Sequence, residues 1–278
     1  KPMEKIRVGI IGLGMRGAGA VDRLAKIKDV EIVALCDLKA DKVKRSQKTL
    51  KKNGRPAAQA FHTDRDAWKK LVELDLDLIY IVTPWALHTP MCLFAMENGK
   101  NAACEVPIAK TVEECWQLVE TSERTGKHCV MLENCCYDFF EMMTLRMVRE
   151  GVFGELTHVE GAYIHELNWL IANHFEERWR LKENQTRNGG LYQTHGIGPI
   201  AQCLNINRGN QMDYLTSISS KEAAFTAWAK KNGKEELSKD GYRGDMNTTV
   251  IKCVNGETIM LQHDVNTPRP YSRIHLLQ

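Results

Sequence analysis

Apolar residues fall along this chain in two rhythms, and the rhythm changes near the middle. In the first half, short apolar runs alternate with stretches whose apolar positions recur every three or four residues. The run from Ile6 to Ile11 has the length of a buried strand, and an amphipathic helical pattern follows it through Ile27. "EIVALCD" reads as a second strand. Another runs from Leu76 to Val82, with a helix from roughly Met91 to Asn98 after it. "GKNAACEVP" supplies one more strand, then a helix from Thr111 to Thr125 leads to the strand "HCVMLEN". Strands and helices alternating at this spacing predict a parallel, doubly wound sheet. After Gly151 the period shortens to two. "GELTHVEGAYIHEL", "YLTSISS", "NTTVIKCV" and "ETIMLQHDV" read as strands, with Asn255-Gly256 as a hairpin turn between the last two. Strands joined by hairpins predict a mostly antiparallel sheet. Between the first two of them, Arg178 to Ile206 reads as a loop feeding a helix that starts near His195. The chain is therefore expected to be α/β, with a Rossmann-type domain over 1–135 and an α+β domain over 136–278. A cleft at the junction of two such domains is a usual place for a substrate.

Composition changes this picture little. The length of 278 residues suits two domains, and 43% hydrophobic with 26% charged residues is ordinary for a globular chain. A formal charge of +3 names no partner. The basic run from Lys42 to Lys52 has helical spacing and reads as a solvated helix face. Without aromatic interleaving or zinc spacing, it gives no case for nucleic acid. Nine cysteines, none in a CxxC pair, sit mostly in apolar stretches and read as reduced buried thiols, which implies folding in a reducing compartment. No apolar run is long enough to span a membrane. No signal peptide opens the sequence at Lys1.

Chemistry enters with the glycines. Gly12, Gly14 and Gly17 stand in G-x-G-x-x-G spacing between a strand and a helix. They serve the tight turn, the approach to a pyrophosphate, and helix–strand packing in that order. The helix N-terminus offers amides to the phosphate. Asp37 ends the next strand about 20 residues on, where a carboxylate accepts from the adenosine ribose and repels a 2′-phosphate. That favours NAD over NADP, with Lys39 and Arg16 as softening cations. Ligands of such sheets bind at the carboxyl ends of the strands. Asp37, Trp85, His88, Glu105 and Asn134 all sit there.

In the second half, Tyr163 and His165 lie two apart on one strand and face the same side. Tyr192 and His195 lie three apart at a helix entrance, where their side chains converge. Two such pairs in one presumptive cleft point to proton transfer. Neither a metal-ligand spacing nor a nucleophile elbow is present in the sequence.

The motifs "GLGMRG", "ALCD", "TPWALH", "CEVP", "MLENCCYD", "VEGAYIH", "WRLKEN", "LYQTHGIGP" and "DVNTPRPYSRIH", in that order from Ile6 to His275, resemble glycoside hydrolase family 109. These are NAD-dependent α-N-acetylgalactosaminidases within the glucose-fructose oxidoreductase/inositol dehydrogenase superfamily. The resemblance implies a retaining hydrolase acting on terminal N-acetylhexosamine. Its cycle runs through oxidation at C3, elimination, water addition and reduction, outside the usual two-carboxylate scheme. It also implies that Met15, Arg16, Asp37, the Trp85 to His88 segment, Glu105, Val106 and Asn134 contact NAD. Tyr163, Arg180, Tyr192, His195 and Tyr271 would bind substrate, with Tyr192 also near the nicotinamide. His195 is the leading acid/base, because histidine titrates near neutrality. Tyr163 is the second, and His165 supports the pair. Arg180 would orient the sugar or its acetamido group.

Related sugar dehydrogenases carry a lysine between the glutamate and proline of the "CEVP" segment, and here that position is Val106. Their later glycine-rich stretch carries an aspartate where Thr194 stands. A lysine-free site suits a hydrolase more than the alternative, a net NAD-dependent sugar or polyol dehydrogenase. A non-catalytic sensor is a third reading, opposed by the retention of Tyr163, Tyr192 and His195 together. Gln193 replaces an expected proline and Gly190 an expected asparagine. Family members continue past this length, so the second domain is expected to be incomplete at Gln278. Many such relatives are exported in folded form, which would suit a protein that must first acquire NAD, so export to the periplasm is compatible with the resemblance. Self-association is compatible with all three readings.

Overall fold

β1 (Ile6–Ile11) is paired on both sides in the computed structural model, which describes residues 4–174 and 178–278. Two units make up the chain, the first ending at Leu132 and the second running from Glu133 to Gln278.

In the first unit, β1, β2 (Val30–Cys36), β3 (Gln59–Phe61), β4 (Leu78–Ile81), β5 (Asn101–Cys104) and β6 (Cys129–Met131) form one parallel sheet in the order β3-β2-β1-β4-β5-β6. The order reverses between β1 and β4, the switch point at which such sheets open a crevice for a ligand. The helices are α1 (Met15–Leu24), α2 (Ala40–Lys52), α3 (Ala67–Val72), α4 (His88–Glu97) and α5 (Val112–Thr125). Both faces of the sheet are covered. Val8 and Ile10 pack with Val21, Val43 and Leu50, while Ile79 and Ile81 pack with Met91, Met96 and Leu118. Two-sided burial is why these strands read as continuous apolar runs. Thr111 caps α5, its hydroxyl accepting from the Glu114 amide. α4 begins three residues earlier than its periodicity suggests, because Trp85–Leu87 form a 3-10 turn that runs straight into it.

The second unit holds α6 (Phe139–Arg149), β7 (His158–Ile164), α7 (Asn168–Asn173), α8 (Trp179–Thr186), α9 (Thr194–Cys203), β8 (Met212–Ser219), α10 (Ala224–Lys231), β9 (Met246–Cys253), β10 (Thr258–Asp264) and β11 (His275–Leu277). Its strands form a mixed sheet in the order β11-β7-β10-β9-β8. Three of its four pairings are antiparallel, and β7 with β10 is parallel. β9 and β10 make the hairpin at Asn255-Gly256, where Gly256 has φ 107°. β8 and β9 are not a hairpin, since α10 lies between them. The segment read as a loop before His195 is also corrected, because Trp179 to Thr186 is helical. Few apolar positions mark that helix in sequence. Its Leu181 is buried, and the Arg243 guanidinium donates from Nε to Asn184 Oδ1 at 3.0 Å. Among the described residues, no helix is long and apolar enough to cross a membrane.

Candidate active site

The glycine loop is shaped by what surrounds each glycine. Gly12 has φ 94°, and a Cβ there would run into the Val82 carbonyl. A Cβ on Gly17 would strike the Gly12 carbonyl oxygen, whereas a Cβ on Gly14 would meet nothing within 4 Å. Gly14 also starts α1 without a side-chain cap or an acidic first turn. Uncapped amides beside open space at a helix N-terminus fit a pyrophosphate. Asp37 follows β2 and accepts from the Leu13 amide at 2.8 Å and the Lys39 amide at 2.9 Å. Each carboxylate oxygen keeps a free lone pair for a ribose hydroxyl. Lys42 sets its Nζ 3.7 Å from Asp37 Oδ1, with only 16% side-chain exposure. Lys42 therefore leaves the solvated face expected for its helix.

Around the loop, Met15 is exposed, and Arg16 pairs with Glu105 at 3.6 Å. Glu105 also accepts from the Tyr80 hydroxyl at 2.8 Å. The Trp85, His88 and Val106 side chains are instead buried. His88 sets its ring nitrogens 2.6 Å from Pro107 O and 2.7 Å from Thr83 O, so it ties the end of β4 to the segment after β5. Burial draws its pKa down. At 1% exposure, its imidazole faces protein.

The second unit gathers its candidates around Tyr163 near the end of β7. That ring lies 5.3 Å from Tyr192, 5.1 Å from His195, 5.8 Å from His165 and 6.4 Å from Tyr271. His165 follows the last residue of β7, and its Nδ1 is 3.2 Å from Tyr163 Oη. Burial pulls the His165 pKa down against the opposing charge of Glu166, and Arg180 adds to the lowering. The Tyr271 ring packs 4.8 Å from His165. Arg180 on α8 lays its guanidinium 4.8 Å over the Tyr192 ring. Asn134 is placed in a 3-10 turn after β6, with its amide 3.7 Å from Cys135 Sγ.

His195 reaches Tyr163 because α9 crosses β7 backbone to backbone. A Cβ on Gly196 would stand 2.8 Å from the Ala162 amide nitrogen, and one on Gly161 would stand 3.1 Å from Gly196 Cα. Gly198 does the same for the turn after β6, where a Cβ would come 2.9 Å from Glu133 Cγ. That approach delivers Glu133, a residue the sequence reading overlooked. His195 Nδ1 donates to Glu133 Oε1 at 2.6 Å, and both side chains are 7% exposed. Oε1 also accepts the Cys135 amide at 3.0 Å. Burial alone would raise the Glu133 carboxyl, but the His195 bond and charge outweigh it and hold the group below its ordinary value. With Nδ1 engaged, Nε2 is left to exchange a proton. Cys135 Sγ lies within 4.8 Å of both partners' ligand atoms, yet burial pushes its thiol up to about 11, so it stays protonated. The only sequence signal for Glu133 was a carboxylate beside Asn134 at the end of an apolar strand.

Behind Tyr163 lies a second overlooked group, His263 on β10. It stacks 6.2 Å from the Tyr163 ring, is 1% exposed, and among the described residues has no hydrogen-bond partner on either ring nitrogen. Burial, with Arg243 and Arg180 nearby, pulls its pKa well below the usual value.

Residues 6–133 match the family described as "Oxidoreductase family, NAD-binding Rossmann fold", and residues 137–278 match "Glycosyl hydrolase 109, C-terminal domain". The chain is 50% identical over 272 residues to a "Glycosyl hydrolase family 109 protein" of Porphyromonas gingivalis, covering 98% of this chain and 58% of that protein. It is 47% identical over 283 residues to an "Alpha-N-acetylgalactosaminidase" of Bacteroides fragilis, covering 99% of this chain and 66% of that one. It thus spans less than two thirds of the length of these relatives. Among solved structures, the Lactobacillus casei scyllo-inositol dehydrogenase with bound NAD(H) and scyllo-inositol superposes with a TM-score of 0.73 at 18% identity, over 97% of this chain and 72% of that one. At that identity the likeness is one of fold.

Proposed function

Because this chain belongs to glycosyl hydrolase family 109, we propose that it hydrolyses terminal α-linked N-acetylgalactosamine with retention, by an NAD-dependent cycle of oxidation, elimination, addition and reduction. The observation that carries this reading is the buried Glu133–His195 pair set against Tyr163, with no lysine at Val106. NAD, when bound, supplies a reversible hydride acceptor for sugar C3, and a ketone there acidifies the C2 proton.

The glycine loop and Asp37 would hold that cofactor at the pyrophosphate and the adenosine ribose, and the exposed Met15 and Arg16 lie beside the loop. Elimination then needs one proton removed at C2 and one delivered to the departing glycosidic oxygen. Water addition needs the same two transfers in reverse. His195 Nε2 and Tyr163 Oη are the two proton-exchanging atoms. Glu133 fixes the His195 tautomer and stabilises the imidazolium as it forms. His165 holds the Tyr163 hydroxyl, while Tyr192, Arg180 and Tyr271 orient the sugar.

The test is p-nitrophenol release from p-nitrophenyl α-N-acetylgalactosaminide in heavy water, after NAD is stripped and restored, with His195→Ala as control. The expected result is NAD-dependent release without net NADH, and deuterium at C2 of the product. NADH accumulating from free sugar without bond cleavage would move the reading to a dehydrogenase.

A further inference from the structure

We propose that Gln193 is a positioning residue for Tyr192 and His195, and that position 190 is glycine because the Gln193 amide fills the place of a side chain there. The role rests on the reading that Tyr192 and His195 act on the sugar.

Gln193 is the residue before α9, between Tyr192 and Thr194. Its carbonyl accepts from the Gly196 amide at 3.0 Å and the Ile197 amide at 2.9 Å, so it opens the helix that carries His195. Its side chain caps nothing. Instead Nε2 donates to Asn247 Oδ1 at 2.9 Å and reaches Thr249 Oγ1 at 3.4 Å. Asn247 and Thr249 lie two apart on β9, on one face of the sheet, and both are buried.

The orientation of Asn247 is fixed from its far side. Its Nδ2 donates to Ser217 Oγ at 3.1 Å, Ile218 O at 3.3 Å and Ser219 Oγ at 3.1 Å. Flipping that amide would set its oxygen against the Ile218 carbonyl, which can only accept, so Oδ1 faces Gln193, where it also accepts from Thr249 Oγ1 at 3.2 Å. Thus β8 and β9 together hold the entrance of α9.

Gly190 completes the arrangement. A Cβ there would fall against the Gln193 amide nitrogen and carbon, and 2.8 Å from Asn247 Oδ1. Glycine is needed here for space; the backbone conformation does not demand it. A methyl group at 190 would therefore expel the Gln193 amide from its bond. The Tyr192 ring sits 4.9 Å from His195 and 5.3 Å from Tyr163, so a loosened entrance reaches both proton-exchanging groups through its neighbours.

The experiment compares Q193E, Q193A, G190A and the double variant G190A/Q193A with the unaltered protein. Three quantities are read: kcat and KM on p-nitrophenyl α-N-acetylgalactosaminide, Tm, and the downfield NMR resonance of the His195 Nδ1 proton bonded to Glu133. Q193E conserves shape but sets a carboxylate against a fixed acceptor. It is expected to lower kcat about tenfold, roughly the net worth of one hydrogen bond, to lower Tm by about 2–4 °C, and to shift the resonance. G190A should behave alike, and adding it to Q193A should cost less than G190A alone. Parental kcat and resonance in Q193E, or additive effects of G190A and Q193A, would overturn the proposal. Should the unaltered protein show no turnover, the hydrolase reading fails, and the resonance in Q193E still decides whether Gln193 positions His195.

Discussion

Replacing Glu133 by glutamine removes a charge and keeps a shape. Gln Oε1 can still accept from His195 Nδ1–H, so the tautomer survives, but the imidazolium that forms during proton transfer loses its buried anionic partner. Hydrogen bonds to charged groups contribute about 1.5–3 kcal/mol, which corresponds to roughly 10- to 150-fold in rate. The 2.6 Å separation and 7% exposure of both side chains place this pair toward the upper end of that range. E133Q is therefore expected to lower kcat/KM by about 30- to 150-fold, with the acidic limb of its pH profile displaced to lower pH. Stability should respond with a definite sign. The folded-state carboxyl lies below its unfolded value, so its contribution is present above about pH 4.5 and is lost as pH falls through the folded value. The Tm deficit of E133Q should be full at pH 7 and fade under acid. Steady-state kinetics from pH 5 to 9, with calorimetry at pH 3.5 and 7, make the measurement. A loss under threefold with an unmoved profile would refute the assignment of Glu133 to His195.

Other outcomes follow from neighbouring geometry. Gly196→Ala sets a methyl group 2.8 Å from the Ala162 amide nitrogen, where backbone cannot yield; a cost of about 1–3 kcal/mol is expected from denaturant melts. His263→Leu removes a buried ring whose two nitrogens lack partners among the described residues, and should be near neutral in stability at pH 8. The lowered pKa of His263 makes the unfolded chain the better proton binder below about pH 6.5, so the parent should lose about 1.4 kcal/mol per pH unit from this group and H263L should not. Asp37→Ser is expected to weaken NAD and admit NADP beside Lys42, read from cofactor fluorescence titrations. Val106→Lys buries an ammonium at a position 3% exposed, and should lower Tm without creating net NADH production.

The sequence by itself determined the features that depend on near neighbours. Two-sided burial wrote apolar runs into β1 and β4, the glycine spacing marked the turn into α1, Thr111 marked the start of α5, and Asn255-Gly256 marked the β9–β10 hairpin. The closeness within Tyr163/His165 and within Tyr192/His195 was legible too, because each pair lies within three residues, whereas the meeting of the two pairs was not. Tertiary structure alone decided the rest. Glu133 and His195 stand 62 positions apart, and no local period records that Gly196 and Gly198 let α9 approach β7 and the turn after β6 closely enough to join them. Alternation showed that β7 and β10 have a buried face, but it carries no information about direction, so their parallel pairing was invisible. α8 escaped notice because its few apolar positions gave little period, and its polar anchor on Arg243 comes from a distant segment. Lys42 read as a surface charge until folding set Asp37 beside it. Local pattern encodes which face of an element is dry, whereas the partner on that face is chosen by packing between segments that the sequence keeps far apart.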